Sequence, residues 1–239
     1  MLRLGSKNVS KLFLGGRAIA NAYLGNKLVW QASQPLPYDY AVEYIETDGL
    51  GAYINTGIVP VRGNSDVAVS FNYVSWNTSW VAASYNTAFG ARGGTLTASR
   101  AFEVSTYVGG GVFRTGNPTA TISEFSVPLD YNIHDVSLSY SGITFDGIGY
   151  SNSSSTLTQP VGYFCLGSSG TLSVTPSSKT ERYLGNVRFY SCKIYTNNVL
   201  VFDGIPVVTN GLAGLYDSIS GTVKTNAAAT GTITAGPRV

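Results

Sequence analysis

Residues 186–202 read NVRFYSCKIYTNNVLVF. Asn186–Tyr195 has the composition and alternation of a β-strand, and Val199–Phe202 is a second such run. Asn197-Asn198 between them is a hairpin signal, because Asn tolerates the left-handed backbone that a two-residue turn demands. The stretch predicts two neighbouring antiparallel strands.

Outward from this pair, short alternating runs recur between clusters of Gly, Asn, Ser and Pro. Val67–Tyr73 (VAVSFNY) and Val136–Tyr140 (VSLSY) are examples. No segment sustains a 3.6-residue apolar period, so helices are not expected. From residue 40 onward the pattern predicts a two-sheet antiparallel sandwich of roughly 200 residues. Ser151–Thr156 and Ser168–Lys179 read as exposed polar loops.

The N-terminus is different. Leu4-Gly5-Ser6-Lys7, Leu14-Gly15-Gly16-Arg17 and Leu24-Gly25-Asn26-Lys27 are three copies of one unit, ten residues apart. Each Gly pair suits a two-residue type II′ turn, with eight residues between turns, a normal strand length. The expectation is a four-stranded meander over residues 1–30, or alternatively three rungs of an intertwined β-structure. One face carries Leu4, Leu14 and Leu24 with the small residues Ala18, Ala20 and Ala22, which would allow another sheet or chain to approach closely. So small a sheet buries little alone. It is expected to dock on its own downstream domain or to serve oligomerisation and attachment. Residues 31–39 carry two prolines and read as a linker, leaving residues 40–239 as the second domain.

Composition narrows the class. Charged residues are 12% of the chain, about half the usual share, and there are 28 Gly and 16 Tyr. Solubility must then come from Ser, Thr, Asn and Gly, a profile suited to β-rich extracellular or virion proteins. A net charge of +2 without a basic run argues against an electrostatic nucleic-acid partner. No apolar run reaches the roughly 18 residues of a membrane span. Polar residues interrupt the first segment, so no signal peptide is expected. Cys165 and Cys192 lie in strand-like runs and read as two buried thiols. A disulfide would need adjacent strands and matching Cβ geometry.

Catalytic patterns are missing. His134, the single histidine, sits in Asn132-Ile-His-Asp135 at the approach to a strand and reads as a loop or strand-edge residue. There is no G-x-S-x-G elbow, Walker loop, dinucleotide fingerprint or EF-hand loop. Gly109-Gly-Gly111 lies between β-like runs and reads as a turn. Glu43 and Glu46 are three apart and point to opposite faces of a strand. Glu46 and Asp48 sit at a loop entry. No catalytic residue, cofactor or metal site is expected.

The two ends of the second domain carry a resemblance. Val42-Glu-Tyr-Ile-Glu46 and Ala52-Tyr-Ile-Asn-Thr-Gly57 open it. Leu184–Tyr195, Leu200-Val201, Ile205-Pro206, Gly214-Leu-Tyr-Asp217 and Gly221–Asn226 close it. These resemble the opening and closing motifs of the concanavalin A-like lectin/glucanase (LamG-like) jelly roll of gut phages and gut bacterial surface proteins. The likeness covers about residues 40–237, and Asn77–Gln159 matches only in character. The decapeptides are similar to "YLG.K.V" modules that begin tail and fibre proteins in phages of gut bacteria. The resemblance implies an all-β chain: an N-terminal β-repeat module, then a jelly-roll sandwich. Glucanases of this fold carry an E-x-D-x-x-E carboxylate row, which this chain lacks, so an enzyme is not expected.

The expected function is therefore a virion structural protein, a fibre or appendage component of head or tail, assembled in the host cytoplasm. Residues 1–30 would contact other virion proteins and trimerise the chain. The jelly roll would face outward toward host or mucus glycans. Sugars stack on aromatic rings and bond to nearby polar groups. Trp76, Asn77 and Trp80 are the first candidates, with Tyr107 and Arg114, flanking the triple glycine, as a second patch. The competing expectation for these aromatics is burial in the core. Rival functions are a non-binding decoration protein and a secreted bacterial glycan-binding protein. Calcium is compatible with such a fold, but no acidic cluster specifies it, and no membrane partner is expected.

Overall fold

The computed structural model describes residues 3–4, 7–8, 13–14, 17–18, 21–24, 27–31, 36–61, 63–75, 86–93, 100–107, 110–115, 123–127, 130–139, 141–151, 162–170 and 186–239. Among them every regular element is a β-strand. No helix among the described residues is long and apolar enough to cross a membrane. The chain divides into two compact units, Met1–Leu36 and Pro37–Val239.

The first unit contains β1 (Arg3–Leu4), β2 (Lys7–Asn8), β3 (Phe13–Leu14), β4 (Arg17–Ala18), β5 (Asn21–Leu24) and β6 (Lys27–Gln31). They form three separate antiparallel ladders, β1 with β2, β3 with β4 and β5 with β6. Leu4 faces Lys7, Leu14 faces Arg17 and Leu24 faces Lys27. The sequence repeat thus becomes a repeat of register, each Leu ending its strand opposite the basic residue three positions on. Each ladder pairs the residues that flank one of the three expected turns, and residues 9–12 and 19–20, which lie between the ladders, are outside the described residues. Gly5, Gly15, Gly25 and Ala20 lie outside the described residues.

The second unit opens with β7 (Tyr40–Ala41), β8 (Ile45–Thr47), β9 (Ile54–Asn55), β10 (Ser65–Ser75), β11 (Asn86–Gly93) and β12 (Arg100–Tyr107). It continues with β13 (Gly110–Thr115), β14 (Ser123–Val127), β15 (His134–Ser139), β16 (Gly142–Phe145), β17 (Ile148–Ser151) and β18 (Cys165–Leu166). It ends with β19 (Ser169–Gly170), β20 (Asn186–Thr196), β21 (Val199–Thr209), β22 (Leu212–Asp217), β23 (Thr222–Lys224) and β24 (Ile233–Ala235).

These strands make two sheets. The larger, of eleven strands, runs β17-β16-β15-β10-β20-β21-β22-β23, with β8 on β20, β24 on β8 and β7 on β21. The smaller, of seven, runs β14-β13-β12-β11-β18-β9. All pairs are antiparallel except β19, which runs parallel to β11. Ser169-Gly170 therefore belongs to a sheet and Ser168 is buried, so the segment expected as a polar loop begins as structure.

The pair read first from the sequence forms as expected. Thr196 faces Val199 across Asn197 (φ 52°) and Asn198 (φ 61°). Two left-handed residues define a type I′ turn, whose twist matches that of the strands it joins. Asp146-Gly147 and Asn210-Gly211 make two more such turns, with φ of 48° and 82°, and 49° and 76°.

The core lies between the sheets. Val67, Val69, Phe71 and Tyr73 face inward from β10 by simple alternation. On β20 the alternation is interrupted. Ser70 pairs with Ser191 but Phe71 with Phe189, so Tyr190 is an extra residue. This bulge lets Phe189 and Cys192, three apart, both point inward. Phe71 meets Phe89 of the smaller sheet edge-on at 5.3 Å, and Phe89 packs on Phe164 at 5.8 Å. Cys165 and Cys192 are buried free thiols on different sheets. Burial pushes the Cys165 thiol up to about 12.

Candidate functional site

The outward face of the larger sheet carries the site. Between the inward residues of β10 lie Ala68 and Ser70. Ser70 sits between Asp135 of β15 and Ser191 of β20, and Ala68 between Ser137 and Lys193. Ser137 in turn faces Thr144 of β16. Small side chains thus occupy facing positions on four adjacent strands, and longer ones stand beside them. The result is a groove of about 310 Å³ running across the strands, with Gly147 at one end.

The groove is polar in a specific way. Ser70, Ser137, Thr144 and Ser191 supply hydroxyls that both donate and accept. Asp135 is the one carboxylate among the described lining residues. Lys193 is half exposed, and its Nζ is 3.9 Å from Asp203, a loose ion pair. Such a surface suits a hydroxyl-rich ligand, which exchanges hydrogen bonds with Ser, Thr and Asp.

Beside the groove, the extra residue of β20 opens a second patch. The Arg188 guanidinium lies 4.6 Å from the centre of the Tyr44 ring, and its Nε donates to Glu46 Oε2 at 2.7 Å. Tyr190 meets Tyr44 at 5.5 Å, and its hydroxyl donates to Asn72 Oδ1 at 3.1 Å. Hydrogen bonding to Glu46 outweighs desolvation and raises the Arg188 pKa above its ordinary value. Two partly exposed rings held beside a fixed cation are a ready stacking platform.

Glu46 and Asp48, near the opening motif, both have partners. Glu46 is tied to Arg188. The Asp48 carboxylate accepts backbone N–H groups from Leu50 and Gly51 at 2.9 and 3.3 Å, and from Ala52 and Thr232. Burial alone would raise the Asp48 carboxyl, but these bonds outweigh it and hold it below its ordinary range. Asp217 caps a turn in the same manner, accepting from the N–H groups of Asp203, Ile219 and Ser220.

Of the expected sugar contacts, Trp76, Asn77 and Trp80 lie outside the described residues. Tyr107 and Arg114 lie on β12 and β13. Tyr107 faces Gly110, whereas Arg114 faces Glu103 and, on its other side, Glu124. The ladder therefore sets them four positions apart, about 13 Å along the strand. The groove residues, and Tyr44 with Arg188 and Tyr190, were not singled out from sequence as binding residues. The alternate spacing of Tyr44 with Glu46 and of Arg188 with Tyr190 was their only signal, and the two strands that carry them lie some 140 residues apart.

His134 lies at the edge of a strand, as its first residue in β15, and is buried, 4% exposed, with its ring 4.6 Å from that of Phe145. Its Nδ1 is 2.8 Å from Asp146 Oδ2, and its Nε2 is 3.2 Å from Asp130 Oδ1. Among the described residues, no group of three or more His, Cys, Asp or Glu side chains is arranged to hold a metal ion. Compared with protein families and curated proteins, the chain matches no family model and no curated protein.

Proposed function

We propose that this chain is a virion structural protein, a fibre or appendage component. Its sandwich, a jelly roll of the concanavalin A-like kind, is displayed toward glycans, and residues 1–30 attach it to other virion proteins and trimerise it. The observation that carries this reading is the shared register of the three N-terminal hairpins, Leu4 with Lys7, Leu14 with Arg17 and Leu24 with Lys27. A ten-residue period in both sequence and pairing suits a surface that must match a repeating partner. The hydroxyl-lined groove and the Tyr44–Tyr190 platform support the glycan half of the reading. Trp76 and Trp80 remain further candidates for stacking.

The test has two parts. Gold-labelled antibodies against residues 37–239 should decorate fibres or appendages of purified particles. Label found only in the culture medium would replace this reading with a secreted glycan-binding protein. Purified protein should also bind host-cell glycans, weakly per site and more strongly when several copies are presented together. Ser70→Trp, which fills the groove, and Tyr190→Ala should reduce that binding at least about fivefold if the outer face is the site. Labelled particles without any glycan binding would leave a decoration protein.

A further inference from the structure

Two carboxylates, Asp130 and Asp146, flank the single histidine. Asp146 Oδ1 accepts the backbone N–H of Asp135 at 2.9 Å, and its Oδ2 takes the His134 Nδ1 contact at 2.8 Å. A carboxylate only accepts, so the Nδ1 hydrogen points at Asp146 and Nε2 is the nitrogen left facing Asp130. Asp130 is fixed in turn, its two oxygens accepting from the N–H and Nδ2 of Asn132, both at 2.6 Å. Nε2 is buried with no hydrogen-bond partner among the described residues. Asp130 Oδ1 is 3.2 Å away but too oblique to receive a hydrogen bond from it.

Two acceptors held at that distance and angle fit two ligands of one cation. An ion about 2.1 Å from both a histidine nitrogen and a carboxylate oxygen, at an angle of about 100°, separates them by about 3.2 Å. The Nε2 lone pair then points at the ion and off the line to the oxygen, which is the misalignment seen. The Nδ1–H to Asp146 contact is the outer-shell bond that orients metal-bound histidines. We infer that His134 Nε2 and Asp130 Oδ1 bind a divalent ion of the zinc class, chosen over magnesium or calcium because one ligand is an imidazole. Asp130 is 53% exposed, so water can complete the coordination. No third protein ligand approaches among the described residues, which makes this an open, modest-affinity site. The ion would clamp residues 130–133, with the exposed Tyr131 and Ile133, onto the start of β15.

Because His134 is the only histidine, its imidazole signals in a nuclear magnetic resonance spectrum of the full chain are unambiguous. Zinc chloride added at pH 7.5 should shift them saturably, with half-saturation below about 1 mM, while magnesium should not. Asp130→Asn should weaken binding about tenfold, and Asp146→Asn by about 10- to 100-fold as an outer-shell change. Asp130 is half exposed, so its variant should fold and is the deciding one. No shift up to about 1 mM zinc, equal binding by Asp130→Asn, or an equal response to magnesium would each overturn the inference.

Discussion

Asp217 shows how one side chain can hold a turn. It is 3% exposed, and its oxygens accept N–H groups from Asp203, Ile219 and Ser220 at 3.0, 3.1 and 3.3 Å. Burial alone would raise its pKa. The side-chain bond from Ser220 and the backbone bonds outweigh that and hold it below the ordinary value of 3.8. Asp217→Ala leaves these donors without their acceptor and should cost about 1–3 kcal/mol at pH 7, measured by urea unfolding. A carboxyl whose pKa is lower in the folded chain contributes fully above its unfolded value. That contribution falls away as pH drops through the folded value. The gap between wild type and variant should therefore narrow below about pH 3.8. A gap unchanged at low pH would mean that the carboxylate charge is not what holds the turn.

At the scale of elements, the Asn197-Asn198 turn sets the register of β20 against β21. Both residues are left-handed, so Asn198→Gly should be neutral or slightly stabilising, whereas Asn198→Val should cost about 1–3 kcal/mol in backbone strain. Thermal melting of the two variants checks the contrast, and equal melting temperatures would argue against a strained turn. This hairpin was legible in the sequence because strand composition and turn chemistry agree over a few neighbouring residues. The full length of β21 was not. It runs on to Thr209 through Gly204 and Pro206, two residues that weaken a strand taken alone. Burial overrides them: Gly204 has the Phe202 ring close by, and Pro206 still accepts from Val42 N–H through its carbonyl. The burial of His134 was not legible for a similar reason. Its burial depends on Phe145, Asp130 and Asp146, which meet it only once β15 and β16 pair and the preceding loop folds back.

For the whole molecule, the sandwich was readable as a class and its binding surface was not. Alternation marks which residues of β10 point inward. It is silent on which outward residues of β15, β10 and β20 become neighbours, and the groove consists of those neighbours. The division at Leu36 leads to a further expectation. If residues 1–36 assemble the protein, light scattering should find the full chain oligomeric, as a trimer on the present proposal. Residues 37–239 alone, which contain the complete core cluster, should be a folded monomer. The same oligomeric state for both would remove the assembly role from the hairpins.

The margin of the larger sheet has one more consequence. Val42 bridges Arg238, the Val239 N–H donates to Ala41 at 3.2 Å, and Arg238 lies 4.9 Å from the centre of the Tyr40 ring. The chain therefore enters and leaves the sandwich at one place. A short peptide linking residue 239 back to residue 40 would close the sandwich into a ring, and a new opening at the exposed Ser220-Gly221 would keep every sheet neighbour. A protein fused after Val239 would emerge beside the entry point, whereas a cargo meant to sit clear of it belongs at the opposite end of β21, in the Asn197-Asn198 turn.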